Sequence, residues 1–222
     1  LLFRRRYAGE HHALKDISFE LRAGEALGIL GQNGAGKSTL LKIIMGVSLP
    51  DSGQVIQTGS ITGLLELGSG FDPALSGFEN IRQQAILLGQ SEEAIEGMLP
   101  QVVDFAELAE FIHRPVRTYS SGMLMRLGFA VAIHTKPSCL VVDEALAVGD
   151  ARFQQKCIQA IRAFKEAGGA ILFVSHDLNA VKLICDRALV MDQGALLADE
   201  VPEKAVQIYY QLLASMDHDH PL

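Results

Sequence analysis

Apolar residues along the chain fall into short runs separated by longer amphipathic stretches. The runs have the length of buried strands, and they are Ala26–Leu30, Cys139–Val142, Ala170–Val174 and Ala188–Met191. Phe153–Ala167 and Leu178–Cys185 lie between the later runs and show the spacing of helices. This alternation predicts an α/β fold with a parallel sheet and helices on its faces.

Two further segments near the N-terminus carry strand patterns. Ala13–Leu21 alternates apolar and polar residues, which predicts a half-buried strand. Gly53–Leu67 is broken by Gly59 and Gly63, and it predicts short strands separated by turns. We expect both segments to contribute to the β structure around the central sheet.

Between about residues 78 and 135 the pattern changes and predicts a mainly helical lobe. We expect helices at Glu79–Leu88, Glu92–Phe105, Glu107–Ile112 and Ser121–Thr135, with breaks at Gly89, Pro100 and Pro115. We expect the polar tail, Met216–Leu222, to be solvated.

Composition narrows the class of protein. The chain has 222 residues, of which 49% are hydrophobic, so it has enough apolar material for one core or for one core with a lobe. Its net charge of −7 disfavours a nucleic-acid partner, because proteins that neutralise phosphates are usually basic. The three cysteines are too few and too scattered for a disulfide framework and fit a reducing cytosol.

The hydropathy of the chain bears on membrane spans, and its first residue bears on the N-terminus. No apolar run approaches the roughly 20 residues that span a bilayer. The first residue is Leu1 rather than methionine, so we expect the N-terminus to be truncated.

The strongest chemical signal is a phosphate-loop pattern between a predicted strand and a predicted helix. Glycines allow such a loop to wrap so that backbone N–H groups point at phosphate oxygens, and the following helix adds its positive end. Lys37 is expected on the β- and γ-phosphates, and the Ser38 hydroxyl on Mg²⁺. The candidate nucleotide-binding residues are Gly31, Gln32, Asn33, Gly34, Ala35, Gly36, Lys37, Ser38 and Thr39.

Two carboxylates follow the apolar run Cys139–Val142. Ligands of open α/β sheets bind at the carboxyl ends of the strands, so Asp143 and Glu144 are placed to act on the bound phosphates. We expect Asp143 to hold Mg²⁺, directly or through water, and Glu144 to activate the attacking water as a general base.

A serine–glycine turn precedes the last predicted helix of the lobe. Ser120, Ser121 and Gly122 are typical of a helix N-terminus, where hydroxyl oxygens accept backbone N–H groups. Taken alone, this turn is better explained as an ordinary helix cap.

The order of these motifs along the chain resembles the ATP-binding cassette (ABC) ATPases. The resemblance covers essentially the whole chain and includes Ser175-His176-Asp177 after a predicted strand. It implies a P-loop NTPase fold: an ABC ATPase core, RecA-like, with a mainly parallel sheet, an antiparallel β portion and an inserted helical subdomain at about residues 78–135.

The resemblance also implies a composite site in a head-to-tail homodimer that sandwiches two ATP molecules. Ser120, Ser121 and Gly122 would then act on the nucleotide of the other subunit. Asp150 would cross the dimer interface, and His176 would contact the γ-phosphate and the attacking water.

Some positions depart from the common pattern of that family. The signature turn is Tyr119-Ser120-Ser121-Gly122-Met123 and the residue after Glu144 is alanine. Glu66 stands where a glutamine usually lies, and it remains a candidate Mg²⁺ ligand. Tyr7 is the candidate for stacking on adenine.

These variants together resemble the ATPase subunits that export O-antigen, capsular polysaccharide or teichoic acid. That resemblance implies a peripheral subunit on the cytoplasmic face of the plasma membrane, paired with a separate permease that moves lipid-linked polysaccharide. The alternatives are an ABC ATPase for another substrate, a soluble ABC ATPase acting on nucleic acid, and a P-loop nucleotide kinase. The kinase would lack the Ser120–Met123 turn and His176.

Overall fold

A computed structural model describes residues 12–64, 70–143 and 150–219. The strands in these ranges are β1 (Ala26–Gly31), β2 (Ile61–Gly63), β3 (Cys139–Val142), β4 (Ala170–Val174), β5 (Arg187–Asp192) and β6 (Ala195–Glu200). The helices are α1 (Lys37–Ile44), α2 (Gly77–Leu87), α3 (Glu92–Ala106), α4 (Ser121–His134), α5 (Ala151–Glu166), α6 (Leu178–Ile184) and α7 (Pro202–Asp219), with a 3-10 turn at Val116–Thr118.

The described strands form one sheet in the order β2-β3-β4-β1-β5-β6. Every neighbouring pair is parallel except β5 and β6, which form an antiparallel hairpin. β1 lies between β4 and β5, and all six of its residues are buried. A continuous apolar run is what a strand covered on both faces requires, so the predicted mainly parallel α/β sheet with an antiparallel portion is confirmed.

Apolar side chains form separate clusters on the two faces of the sheet and a third within the helical lobe. One face of the sheet packs beneath α5, α6 and α7, and the other packs beneath α1 and the segment 14–21. The lobe formed by α2, α3 and α4 has its own core, which includes Ile81, Ile95 and Leu127. Phe105 contacts both this core and the sheet core, so it joins the lobe to the sheet.

The predicted strand Ala13–Leu21 is wrong, although its pattern of burial is right. Leu14, Ile17, Phe19 and Leu21 are half-buried against the sheet core, while their polar neighbours are exposed. The backbone is irregular because Asp16 has a φ of 48°, which interrupts an extended run. Within Gly53–Leu64, the described part of the other predicted β segment, the only strand is β2.

Two predictions within the lobe are corrected by the structure. Pro100 does not break α3, which runs through it. The helix buries Ile95, Leu99 and Val102 on one face, and this packing offsets the lost hydrogen bond that proline imposes. Glu107–Ile112 forms turns instead of a helix, because Glu107 ends α3 in the left-handed conformation.

The C-terminal part holds two elements that the apolar pattern did not reveal. β6 is half-exposed, and a strand in that position does not need a continuous apolar run, so its sequence gives no such signal. α7 covers β5 and β1 with Ala205, Val206 and Tyr209, and it extends into the tail that was expected to be solvated. Within the described ranges, we find no helix of sufficient length and apolarity to cross a membrane.

A buried asparagine holds the chain entering the lobe. Asn80 is fully buried, and its Oδ1 accepts a hydrogen bond from the Asp72 backbone N–H at 2.7 Å. Its Nδ2 donates to the carbonyls of Asp72, Leu75 and Ser76 at 3.0–3.3 Å. One side chain therefore contacts four backbone groups of the segment that leads into α2.

We predict that Asn80→Ala lowers the free energy of unfolding by about 1–3 kcal/mol, because it removes the acceptor of the Asp72 N–H and a buried side chain that donates to three carbonyls. Urea unfolding monitored by circular dichroism measures this loss. The matched control is Gln83→Ala on the exposed side of the same helix, which should change the free energy of unfolding by less than about 0.5 kcal/mol. Equal effects of the two substitutions would contradict this role of Asn80.

Candidate functional site

The parallel strands bring three predicted site segments to one edge of the sheet. β1 ends at Gly31, β3 ends just before Asp143, and β4 ends just before Ser175. Their register aligns Ile29 with Val174 across β1 and β4. β3 is aligned on the same β4, so the carboxyl ends of all three strands lie side by side. The phosphate loop, Asp143 and His176 therefore share the edge at which open α/β sheets bind ligands.

The phosphate loop has the backbone conformation that its glycines predict. Gly34 and Gly36 have φ values of 85° and 100°, which only glycine adopts without strain. Ala35 is buried between them, and its N–H donates to the Gln32 carbonyl at 3.1 Å. Gly36 caps α1 without a side-chain acceptor, and the positive end of this helix faces the loop, as a phosphate site requires.

Lys37 begins α1 and folds back over the loop. Its Nζ donates to the backbone carbonyls of Gly31 at 2.6 Å and Gln32 at 2.9 Å. The ammonium group is therefore held at the loop by two carbonyls, where it can interact with anionic oxygens.

Close backbone contacts hold the loop against its neighbours. A Cβ on Gly31 would lie 2.6 Å from the Met191 carbonyl oxygen at the end of β5. A Cβ on Gly36 or on Gly194 would each lie 2.7 Å from the Ala13 carbonyl oxygen. Gly194, in the β5–β6 turn, also donates its N–H to the Ala35 carbonyl at 3.1 Å and accepts from Lys15 N–H at 2.7 Å. Sequence reasoning missed Gly194, although the turn Asp192-Gln193-Gly194 was a visible signal.

The remaining loop residues lie at or near the surface. Asn33 and Ser38 are exposed, and Gln32 and Thr39 are half-buried. Ser38 and Asp143 offer the hydroxyl and carboxylate oxygens that Mg²⁺ prefers. Among the described residues, no group of three His, Cys, Asp or Glu side chains could hold a metal by itself.

His176 lies between the end of β4 and the start of α6, and it is exposed. On its N-terminal side, the Ser175 Oγ accepts the Asp177 backbone N–H at 3.0 Å. On its C-terminal side, Asp177 caps α6 by accepting the N–H groups of Asn179 at 2.9 Å and Ala180 at 3.2 Å. These bonds fix the backbone on both sides of the histidine at the sheet edge.

The serine–glycine turn forms the start of α4 in the helical lobe. Ser120 caps the helix, with its Oγ accepting the Met123 N–H at 3.2 Å. Ser121 is exposed, and a Cβ on Gly122 would meet nothing closer than the Ser120 Oγ at 3.9 Å. As far as the described ranges go, the side-chain hydrogen bond of this turn lies within α4, and Ser120 and Ser121 are exposed.

Asp150 makes two different contacts. Its Oδ1 caps α5 by accepting the Phe153 N–H at 2.9 Å, and its Oδ2 pairs with Arg126 on α4 at 2.6 Å. The Phe153 N–H and the positive charge of Arg126 hold the pKa of this carboxyl below its usual value. Arg126 was missed in the sequence, because only its neighbours Ser120–Met123 carry a recognisable pattern.

Three predicted site residues, Tyr7, Glu66 and Glu144, lie outside the described residues. Their roles remain predictions from the sequence.

The cysteines do not supply a nucleophile at this site. All three are free thiols. Burial raises the pKa of Cys139 to about 11 and the pKa values of Cys157 and Cys185 to about 12. At neutral pH they are protonated and chemically unreactive.

A phosphate loop after the central strand of a mainly parallel sheet, with a carboxylate after β3 and a histidine after β4 at the same edge, defines the class of P-loop nucleotide-binding proteins. The comparison with family models narrows this class. The model described as ABC transporter matches residues 14–147, and the chain belongs to this family.

Curated relatives resemble most of the chain. It is 47% identical over 201 residues to the ABC transporter protein AbcA of Aeromonas salmonicida, covering 90% of this chain and 65% of that protein. It is 46% identical to the O-antigen export system ATP-binding protein RfbB of Klebsiella pneumoniae, covering 91% and 82%. It is 45% identical to the teichoic acids export ATP-binding protein TagH of Bacillus anthracis, covering 87% of this chain and 35% of that protein. The chain thus spans about two thirds of the first relative and a third of the last.

Solved structures support the fold. One, described as the ATP binding subunit of an ABC transporter, matches with a TM-score of 0.83 at 23% identity, covering 91% of this chain and 93% of its own. Another is a dimeric ATP-binding cassette in a post-hydrolysis state bound to ADP and Pi. It matches with a TM-score of 0.73 at 23% identity, covering 86% and 90%.

We predict that Gly36→Ala lowers the affinity for MgATP far more than Gly34→Ala does. Both positions have positive φ, so each substitution carries a conformational cost of about 1 kcal/mol. The Gly36 side chain would also collide with the backbone of Ala13, whereas a Cβ on Gly34 would have no atom of the described residues within 4 Å. Calorimetric titration with MgATP measures the affinities, and equal losses would contradict this account of the loop.

Proposed function

We propose that this chain binds and hydrolyses ATP as the nucleotide-binding subunit of an ABC transporter that exports cell-surface polysaccharide. The observation that carries the proposal is the shared sheet edge, on which the phosphate loop, Asp143 and His176 lie side by side. The export of polysaccharide is supported by the relatives whose names describe O-antigen and teichoic acid export.

ATP binding follows from the loop. Backbone N–H groups of the loop and of the first turn of α1 surround the β- and γ-phosphates, and the positive end of α1 favours their charge. Lys37 exchanges carbonyl contacts for phosphate oxygens when the nucleotide binds. Ser38 and Asp143 hold Mg²⁺, which neutralises charge on the phosphates. Tyr7 stacks on adenine, and Glu66 supplies a further ligand to the ion or its water.

Hydrolysis is an attack of water on the γ-phosphorus, with ADP as the leaving group. Glu144, the residue after Asp143 in the sequence, accepts a proton from the water as it attacks. His176 contacts the γ-phosphate and orients the same water. The bond from the γ-phosphorus to the β,γ-bridging oxygen breaks, and inorganic phosphate forms.

The signature turn acts on the nucleotide of a second copy of the chain. Ser120 and Ser121 are exposed, and Gly122 leaves the helix start open, so the turn can approach an anion closely. Its hydrogen bonds stay within its own helix, so it is available to another subunit. The structurally similar ATP-binding cassette is dimeric, which supports the pairing of two copies of this chain.

The dimer drives a separate membrane permease. ATP binding closes two subunits and hydrolysis releases them, and this difference between two states supplies the work. The chain acts at the cytoplasmic face of the plasma membrane as a peripheral subunit. The cargo is lipid-linked polysaccharide, which the permease moves. No nucleic acid takes part.

We predict that Glu144→Gln traps an ATP-bound dimer without turnover, because the amide cannot accept the proton from water. Light scattering with and without MgATP measures the change from monomer to dimer, and phosphate release measures turnover. The unsubstituted chain with MgATP is the control. Normal hydrolysis by the variant would overturn the general-base assignment, and a protein that binds ATP but stays monomeric would overturn the dimer.

We predict that Ser120→Asp, made in the Glu144→Gln protein, abolishes ATP-dependent dimerisation. Aspartate is a good helix cap, so α4 should remain stable, but its charge would oppose the γ-phosphate of the other subunit. Ser120→Thr keeps both the cap and the hydroxyl and serves as the matched control. ATP affinity of the monomer should stay unchanged in both variants, and loss of that affinity would show that Ser120 acts within its own subunit.

A further inference from the structure

Arg126 connects three helices through one side chain. It lies on α4, six residues after Ser120, and its side chain is only 21% exposed. Its Nη2 contacts Asp150 Oδ2 at 2.6 Å, and its Nη1 contacts Glu107 Oε2 at 3.4 Å. The guanidinium lies over the Phe153 ring, 4.9 Å from its centre. Arg126 therefore contacts the end of α3 and the start of α5 from the middle of α4.

Glu107 holds this arginine from the side of the lobe. It ends α3 with a φ of 58°, a left-handed conformation that is unfavourable for a residue with a side chain. Its carboxylate lies between two cations, since Oε1 also contacts the Lys156 Nζ at 3.3 Å. Lys156 in turn donates to the Phe105 carbonyl at 2.9 Å at the end of the same helix. Contacts from both sides hold Glu107 in this conformation.

The two carboxylate oxygens of Asp150 contact different helices, and these contacts fix its side chain. Oδ1 caps α5, while Oδ2 pairs with Arg126. The carboxylate itself is largely exposed, so it can also face another molecule. Its position is thus defined relative to α4, the helix whose first turn is Ser120–Gly122.

We propose that Arg126 is a positioning residue that couples Asp150 to the Ser120–Gly122 turn within one subunit, so that both surfaces meet the partner copy together. This inference rests on the proposed function, in which the signature turn and Asp150 both face the other subunit. An interface whose two contact points are already fixed relative to each other loses less conformational freedom on closure. Arg126 itself touches neither nucleotide nor water in this account.

The test measures dimerisation and nucleotide affinity separately. Sedimentation equilibrium with saturating MgATP measures the dimerisation constant of two proteins. One carries Glu144→Gln alone, and the other carries Glu144→Gln together with Arg126→Gln. A partly exposed ion pair contributes up to a factor of about 5 in an equilibrium constant, and a symmetric dimer contains it twice. We therefore expect dimerisation to weaken by up to about 25-fold, with monomer affinity for ATP unchanged within about twofold.

A double-variant cycle distinguishes coupling from two separate contributions. Asp150→Asn keeps an oxygen to cap α5 but removes the charge that Arg126 contacts. If Arg126 acts through Asp150, the protein with both substitutions dimerises no more weakly than the more severely affected single variant. Effects that multiply would overturn the proposal, because they would mean that the two residues act independently.

A matched control separates positioning from stability. Arg82→Gln breaks the ion pair between Arg82 and Glu92, which joins α2 and α3 in the same lobe. Thermal unfolding shows how far each substitution lowers Tm. Arg126→Gln should weaken dimerisation, whereas Arg82→Gln should not, and Arg126→Lys should recover part of the loss.

The possible failures are distinct. If Arg126→Gln lowers Tm and leaves dimerisation unchanged, or if it weakens ATP binding to the monomer, the positioning role is wrong and the proposed function stands. If the Glu144→Gln protein with Arg126 intact does not dimerise with MgATP, the proposed function fails, and this inference fails with it.

Discussion

The burial of β1 between two parallel neighbours is the constraint on which the rest of the molecule depends. Both faces of this strand are covered, so the chain leaves the sheet at the C-terminal end of β1. The loop that follows must then turn tightly before α1 begins at Lys37. Backbone from the end of β5 and from Ala13 lies so close that side chains are excluded at Gly31 and Gly36. The shape of the phosphate loop is therefore a consequence of how the sheet is packed around it.

The helical lobe is joined to this sheet by aromatic rings and ion pairs. Phe105 contacts Phe129 and Phe153 with ring centres 5.7–5.8 Å apart. The cations of Arg126 and Lys156 lie over two of these rings. Aromatic rings with charged groups at their edge fix the orientation of the lobe relative to the sheet, because rings and guanidinium planes pack in few alternative ways. The lobe thus keeps a defined orientation at this junction while having its own apolar core.

Much of the fold could be predicted from the sequence, and the failures have physical causes. Strands buried on both faces, such as Cys139–Val142 and Ala170–Val174, have unmistakable apolar runs, and their predicted bounds are correct. The prediction of a strand at Ala13–Leu21 failed because alternating apolar and polar residues indicate half-burial but do not show that the segment pairs with another strand. At the candidate site, the phosphate loop and Asp143 were recognisable because their chemistry depends on local spacing. Arg126, Glu107 and Gly194 were not, because their partners lie far away in the chain.

The protected thiols have a practical consequence. With pKa values near 11 and 12, the three native cysteines are almost entirely protonated at pH 7, so maleimide or spin-label reagents react with them slowly. A single cysteine introduced at exposed Gln83, which lies outside the Ser120–Gly122 turn, could therefore carry a probe without removal of the native ones. Two such probes, one on each copy, would act as a molecular ruler for the gap between subunits during turnover.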